Sequence, residues 1–148
     1  MGKPIKAIIV DDEPGAIANL SLLLQTYPRI EVAATVTNAL LAVDLIHEHQ
    51  PDVVFLDIQM PEKTGFEIAR ELLEAGDVPA IIFATGFDKF AIEAIRHAAF
   101  DFLVKPVNPE ELKQTVSRLE HALLIKDGQK YLFPIPLLNI RKLERFLS

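Results

Sequence analysis

Apolar positions along the chain fall into two alternating kinds of block. Short unbroken runs, "IKAIIV" (5–10), "IEVAATV" (30–36), "DVVFL" (52–56), "PAIIFAT" (79–85) and "FDFLV" (100–104), have the length and β-branched or aromatic content of strands. Between them, apolar residues return every three or four positions. Ile17, Leu20, Leu24 and Tyr27 make one stripe in 14–28, with Pro14 suited to a first helical turn and Pro28 just past the end. In 38–49, Asn38 reads as an N-cap, with Ala42, Leu45 and Ile46 facing inward. Residues 65–76 read as a helix closed by Gly76, and 88–98 as another. The last helix, 109–126, opens on Asn108 and Pro109, carries acids in its first turn, and lines its inner face with Leu112, Val116, Leu119 and Leu123.

Five strands therefore alternate with five helices. The runs "AIIV", "VVFL" and "AIIFA" are apolar throughout, as a parallel sheet covered on both faces requires. With right-handed crossovers the expectation is an α/β, doubly wound, five-stranded parallel sheet. The order 2-1-3-4-5 follows by analogy with the common flavodoxin-like form. Residues 1–126 make the domain and 127–148 a tail. In the tail, Pro134 and Pro136 imply an extended stretch, and "LLNIRKLERFLS" is spaced for a short amphipathic helix. It could pack on the body, mediate self-association, or be the stub of an output domain.

Composition narrows the class. Of 148 residues, 50% are hydrophobic, enough for a sizeable core. No apolar run approaches the roughly 18 residues of a membrane span. "MGKPIKAIIVDDE" runs into three acids and resembles neither a signal nor a transit peptide. The absence of cysteine excludes disulfides, thiolate metal sites and a Cys nucleophile. The expectation is a cytoplasmic protein with no membrane contact. The net charge of −6 splits into −9 over residues 1–127 and +3 over 128–148. An acidic body is a poor non-specific binder of nucleic acid, so no direct nucleic-acid binding is expected. The basic tail reads as solvated surface or as a partner contact.

In open α/β sheets ligands sit outside the carboxyl ends of the strands, where the order reverses. Here that rim receives Asp11-Asp12-Glu13, Asp57, Thr85-Gly86 and Lys105-Pro106. Carboxylates gathered at a partly desolvated rim repel one another, and a divalent cation removes that cost. With no Cys or His at the strand ends the ligands are hard oxygens, which suits Mg²⁺ or Mn²⁺. Lys105 adds a fixed positive charge and Thr85 a hydroxyl donor. Such a set fits phosphoryl transfer, with Asp57 as the nucleophile that becomes an acyl phosphate.

"IIVDDEP", "VVFLDIQMP", Gly65, "FATG" and "FLVKP" occur in order, each at a strand end or the following loop. In these motifs, over about residues 5–125, the chain resembles the receiver domain of two-component response regulators. "DDEPGA", "DIQMP" and "ATGFDKFAIEAI" look most like receivers attached to LytTR-type DNA-binding domains. The resemblance implies Asp57 as phosphoacceptor and Asp11 and Asp12 as the acidic pocket. It implies Mg²⁺ on Asp12, Asp57 and the Gln59 backbone carbonyl, phosphoryl contacts from Thr85 and Lys105, and a cis bond before Pro106. It implies a histidine kinase or phosphotransfer protein as donor, and a homodimer through the surface of 88–98, 100–104 and 109–126. Thr85 would move to the phosphoryl group and Phe102 would turn inward behind it, unless Phe102 is a plain core aromatic. Gln59 and Phe87 flank the pocket and would set the lifetime of the phosphoryl group, Phe87 by shielding it from water. Lys63 stands where the family carries Met or Leu, so looser packing of that loop is expected.

Other readings stay open. Asp11 and Asp12 could be a helix-capping run, and Thr64-Gly65 an N-cap and turn. His47, His49, His97 and His121 are scattered on helices and read as surface residues. An aspartyl-nucleophile phosphatase carries a second acid two residues beyond the first as proton donor. Gln59 occupies that position here, so turnover of an external substrate, and hence an enzyme in the usual sense, is not expected. A mononucleotide binder needs a phosphate-cradling loop after the first strand, and "DDEPG" would repel phosphate. A phosphorylation-independent binding module typically lacks the phosphoacceptor or the lysine, and both are present.

Overall fold

The computed structural model describes residues 3–76, 79–86 and 99–125. The expected helix 88–98, Phe87, His97 and the tail 127–148 lie outside the described residues. The strands are β1 (Ile5–Val10), β2 (Ile30–Val36), β3 (Val53–Leu56), β4 (Ala80–Thr85) and β5 (Asp101–Val104). The helices are α1 (Pro14–Leu24), α2 (Ala42–His49), α3 (Gly65–Ala75) and α4 (Pro109–Ile125), with a 3₁₀ turn at Ala39–Leu41. All strand pairs are parallel, as the alternating pattern implied, and the order is β2-β1-β3-β4-β5, as the analogy with the flavodoxin-like form led one to expect.

Neighbouring residues of each strand serve opposite layers. On one face, Ile8, Val10, Leu56, Phe83 and Phe102 pack with Ile46 of α2 and with Phe66, Ile68 and Leu72 of α3. On the other, Ile9, Phe55, Ile82 and Leu103 pack with Ile17, Leu20 and Leu24 of α1 and with Leu112, Val116 and Leu119 of α4. Each such side chain contributes about 1.5–3 kcal/mol when fully buried. Burial on both faces is why β1, β3 and β4 read as continuous apolar runs rather than alternating ones.

Register fixes the rim. Val10 pairs with Leu56, Leu56 with Phe83, and Thr85 with Val104. The ladder runs into the next residues: Asp11 N donates to Val36 O (3.0 Å), Asp57 N to Val10 O (2.9 Å) and Lys105 N to Thr85 O (2.8 Å). The β1–β2 register shifts between Ala7 and Ile8, leaving Ala33 as the extra residue of a bulge.

Two elements differ from the sequence expectation. The first helix stops at Leu24 rather than reaching Pro28. Gln25, Thr26 and Tyr27 donate three residues back, to Leu22, Leu23 and Leu24, a tightened turn that spends the last carbonyls. Tyr27 still packs on the core. The second helix is split. Asn38 caps the 3₁₀ turn by accepting from Leu40 N at 2.9 Å, and the α-helix begins only at Ala42.

The remaining ends follow local chemistry. Thr64 and Glu67 form a capping box on α3, at 3.1 and 2.7 Å, and Gly76 closes it at φ +85°. Asn108 Oδ1 accepts from Glu110 N (2.7 Å) and Glu111 N (3.3 Å) at the start of α4.

Candidate functional site

Asp11 and Asp57 each follow directly on a buried strand, and both are almost fully buried. Asp12 is half-buried beside them. One carboxylate oxygen from each of Asp11, Asp12 and Asp57 lies within 4.8 Å of the others. The acids of separate strands thus meet at the rim, in the only grouping of this kind among the described residues.

Lys105 reaches this cluster from the end of β5. Its Nζ lies 2.7 Å from Asp11 Oδ2, 3.2 Å from Glu13 Oε1 and 3.4 Å from Asp57 Oδ2. Asp11 is committed on both oxygens, since its Oδ1 accepts from Glu13 N at 2.9 Å. That arrangement makes Asp11 an orienting group, with half-buried Asp12 and buried Asp57 completing the cluster. Thr85 is buried at the end of β4, next to the lysine backbone that it binds. The Lys105–Pro106 peptide bond is cis.

The electrostatics follow from this crowding. Burial first, then the charge of Asp11, push the Asp57 carboxyl up from 3.8 to about 6; Lys105 opposes the rise and Asp12 adds to it. Burial pulls Lys105 down, but the bond to Asp11 and the charges of Asp57 and Asp11 outweigh it and hold the ammonium above its ordinary range. The site is short of positive charge even with Lys105 in place.

The loop after Asp57 is anchored on both sides of Gln59. Ile58 and Met60 are buried while Gln59 is exposed. Pro61 O accepts from Lys63 N at 2.8 Å around Glu62, whose φ is +72°, a tight and sterically costly turn. Gly65 lies against the loop: a Cβ there would stand 2.2 Å from Asp57 O, and Gly65 N donates to Ile58 O at 2.8 Å. A side chain at 65 would therefore displace the backbone of the central acid. Contrary to the looser packing expected of Lys63, its side chain is largely buried and ion-pairs Glu71 of α3 at 2.5 Å.

Phe102 is buried and belongs to the core layer of α2 and α3, on the strand beside Phe83. Phe83 in turn meets Phe66 of α3 edge to face, ring centroids 5.3 Å apart. On the opposite sheet face Asp101 joins β5 to α4. Its Oδ1 accepts from Phe102 N (2.8 Å), and its Oδ2 accepts from the buried Thr115 hydroxyl (2.6 Å) and from Arg118. The sequence pattern placed Glu13 at the rim without its contact to Lys105 and gave Asp101 and Thr115 no role. A polar residue inside the apolar stripe of α4 was the one available sign of that last pair.

Comparison with known proteins bears on this arrangement. The family model of the response regulator receiver domain matches residues 7–117. A response regulatory protein of Vibrio vulnificus is 43% identical over 118 residues, covering 80% of this chain and 48% of that protein. The transcriptional regulatory protein BtsR of Salmonella typhi is 42% identical over 138 residues, covering 89% of this chain and 57% of BtsR. The chain thus spans about half the length of the curated relatives it matches. Among solved structures, the REC domain of AraT, a response regulator from Geobacillus stearothermophilus, superposes with a TM-score of 0.73 at 29% identity. It covers 83% of this chain and 98% of that one.

Proposed function

The chain belongs to the response regulator receiver domain family, and from that premise we propose that it accepts a phosphoryl group on Asp57 from a histidine kinase or phosphotransfer protein. The observation that carries the proposal is a buried Asp57 sharing a rim with Asp11, Asp12 and Lys105. The carboxylate oxygen of Asp57 attacks phosphorus in line as the phosphorus–nitrogen bond of the donor histidine breaks. Lys105 would neutralise a phosphoryl oxygen, and the Thr85 hydroxyl would donate to another.

The acid cluster fits a hard divalent cation. Its donors are all oxygens, and a cation would offset both the burial that chiefly lifts Asp57 to about 6 and the repulsion from Asp11 and Asp12 that adds to it. Asp12, Asp57 and the Gln59 carbonyl would hold Mg²⁺ or Mn²⁺, with Asp11 orienting the pocket. When bound, the ion neutralises charge on the phosphoryl oxygens.

The response runs through Thr85 and Phe102. A phosphoryl group brings about two negative charges to the end of β3. Thr85 turns to it, and Phe102, already buried in the layer of α2 and α3, repacks and alters the surface formed by residues 88–98, 100–104 and 109–126. Without a tyrosine hydroxyl, Phe102 can signal by packing alone. That surface would dimerise with a second copy and, in a cytoplasmic protein, either drive an output module that regulates transcription, a reading the transcriptional regulatory relatives support, or act as a single-domain regulator. Gln59 and Phe87 tune the lifetime. No external substrate is turned over, because position 59 supplies no acid to protonate a leaving group.

Acetyl phosphate with Mg²⁺, followed by intact-mass measurement, tests the reading. One phosphate should be gained and should be lost in Asp57→Asn. Full labelling of Asp57→Asn would refute it.

A further inference from the structure

The start of α1 departs from ordinary capping chemistry. Position 13 is the N-cap, with φ −101° and ψ 109°, where Ser, Thr, Asp or Asn normally takes a free helix N–H. Glu13 occupies it and makes no side-chain cap bond. Its carboxylate instead crosses the rim to Lys105, with Oε1 at 3.2 Å from Nζ. The Glu13 side chain is 68% exposed, so this contact lies at the mouth of the site.

Lys105 is therefore divided among three acids, and Asp57 is the most distant of them. We propose that Glu13 is a positioning residue that restrains Lys105 on the α1 side of the rim and so limits how readily Asp57 takes up a phosphoryl group. This rests on the receiver reading above. In the free protein the ammonium leans on Asp11 and Glu13. A phosphoryl group on Asp57 draws the ammonium toward itself, and the Glu13 contact is given up. Glu13 thus stabilises the unmodified state alone, and only such a difference shifts the population. Asp11 keeps its bonds to Glu13 N and to Lys105 whatever the side chain at 13.

The test compares wild type, Glu13→Gln and Glu13→Asp by calorimetric titration with beryllofluoride, a phosphoryl mimic, at saturating Mg²⁺. The Asp variant is decisive. It keeps the charge, is one methylene shorter, and is a preferred N-cap, so its carboxylate turns onto α1 and releases Lys105. Restraint by contact requires both variants to bind beryllofluoride about two- to five-fold more tightly, the range of an exposed ion pair. A general field effect would tighten binding in Gln and leave Asp unchanged, and that result overturns the proposal. Without metal, acylation of the Lys105 amine, read by peptide mass, should quicken in both variants; an unchanged rate in both also overturns it. Failure of wild type to bind beryllofluoride at all would instead remove the receiver reading on which the proposal stands.

Discussion

At Asp57 two effects oppose each other: the fold buries a carboxyl group, and the proposed phosphoryl transfer needs it ionised. In the metal-free protein it holds its proton up to about pH 6, against an ordinary 3.8. A raised carboxyl pKa means that the fold favours the neutral form. The stability tied to this group is complete below its ordinary 3.8 and is lost as the pH rises through about 6. Asp57→Asn keeps the shape and cannot ionise. Its advantage over wild type in metal-free urea unfolding should grow on going from acid to neutral pH, reaching about 1–3 kcal/mol. A difference that stays constant with pH would contradict the assignment. Added Mg²⁺ should shrink the advantage, because the cation would supply the positive charge that stabilises the ionised Asp57 carboxylate.

Among the elements, the loop from β3 into α3 is the most constrained. Gly65→Ala places a methyl 2.2 Å from Asp57 O, a backbone contact that no rotamer change relieves. The variant should lose about 2–4 kcal/mol in thermal unfolding. It should also weaken Mg²⁺ binding at least about tenfold, near 1.4 kcal/mol. Gly15→Ala in α1 meets nothing within 4 Å and should be neutral or stabilising, which makes it the control. At the other edge, Thr115→Val removes the hydroxyl that binds Asp101 and should cost about 1–2 kcal/mol in urea unfolding. Unaltered stability would show that Arg118 and the Phe102 N–H suffice to hold Asp101. The strands were legible because buried parallel strands are unbroken apolar runs, and the rim acids because they terminate those runs. Helix ends such as Leu24, and the split at Leu41, turned on turn geometry that periodicity does not encode. The contacts of Gly65 with Asp57, Glu13 with Lys105 and Lys63 with Glu71 were invisible for another reason. They are distances between segments, and a residue type alone does not specify them.

For the molecule as a whole, the proposed surface of residues 88–98, 100–104 and 109–126 is where modification should become assembly. Light scattering of the 148-residue chain should show a monomer that doubles in mass with beryllofluoride and Mg²⁺. An unchanged monomer at high concentration would remove the homodimer from the proposal. Because neighbouring strand residues point to opposite helical layers, residue count within a strand acts as a parity code. One insertion between Val53 and Asp57 would turn the strand inside out and aim the acid away from its lysine. Exchanges of one apolar side chain for another are therefore open to drift here, whereas spacing from Ile5 to Asp11 and from Val53 to Asp57 is closed to it.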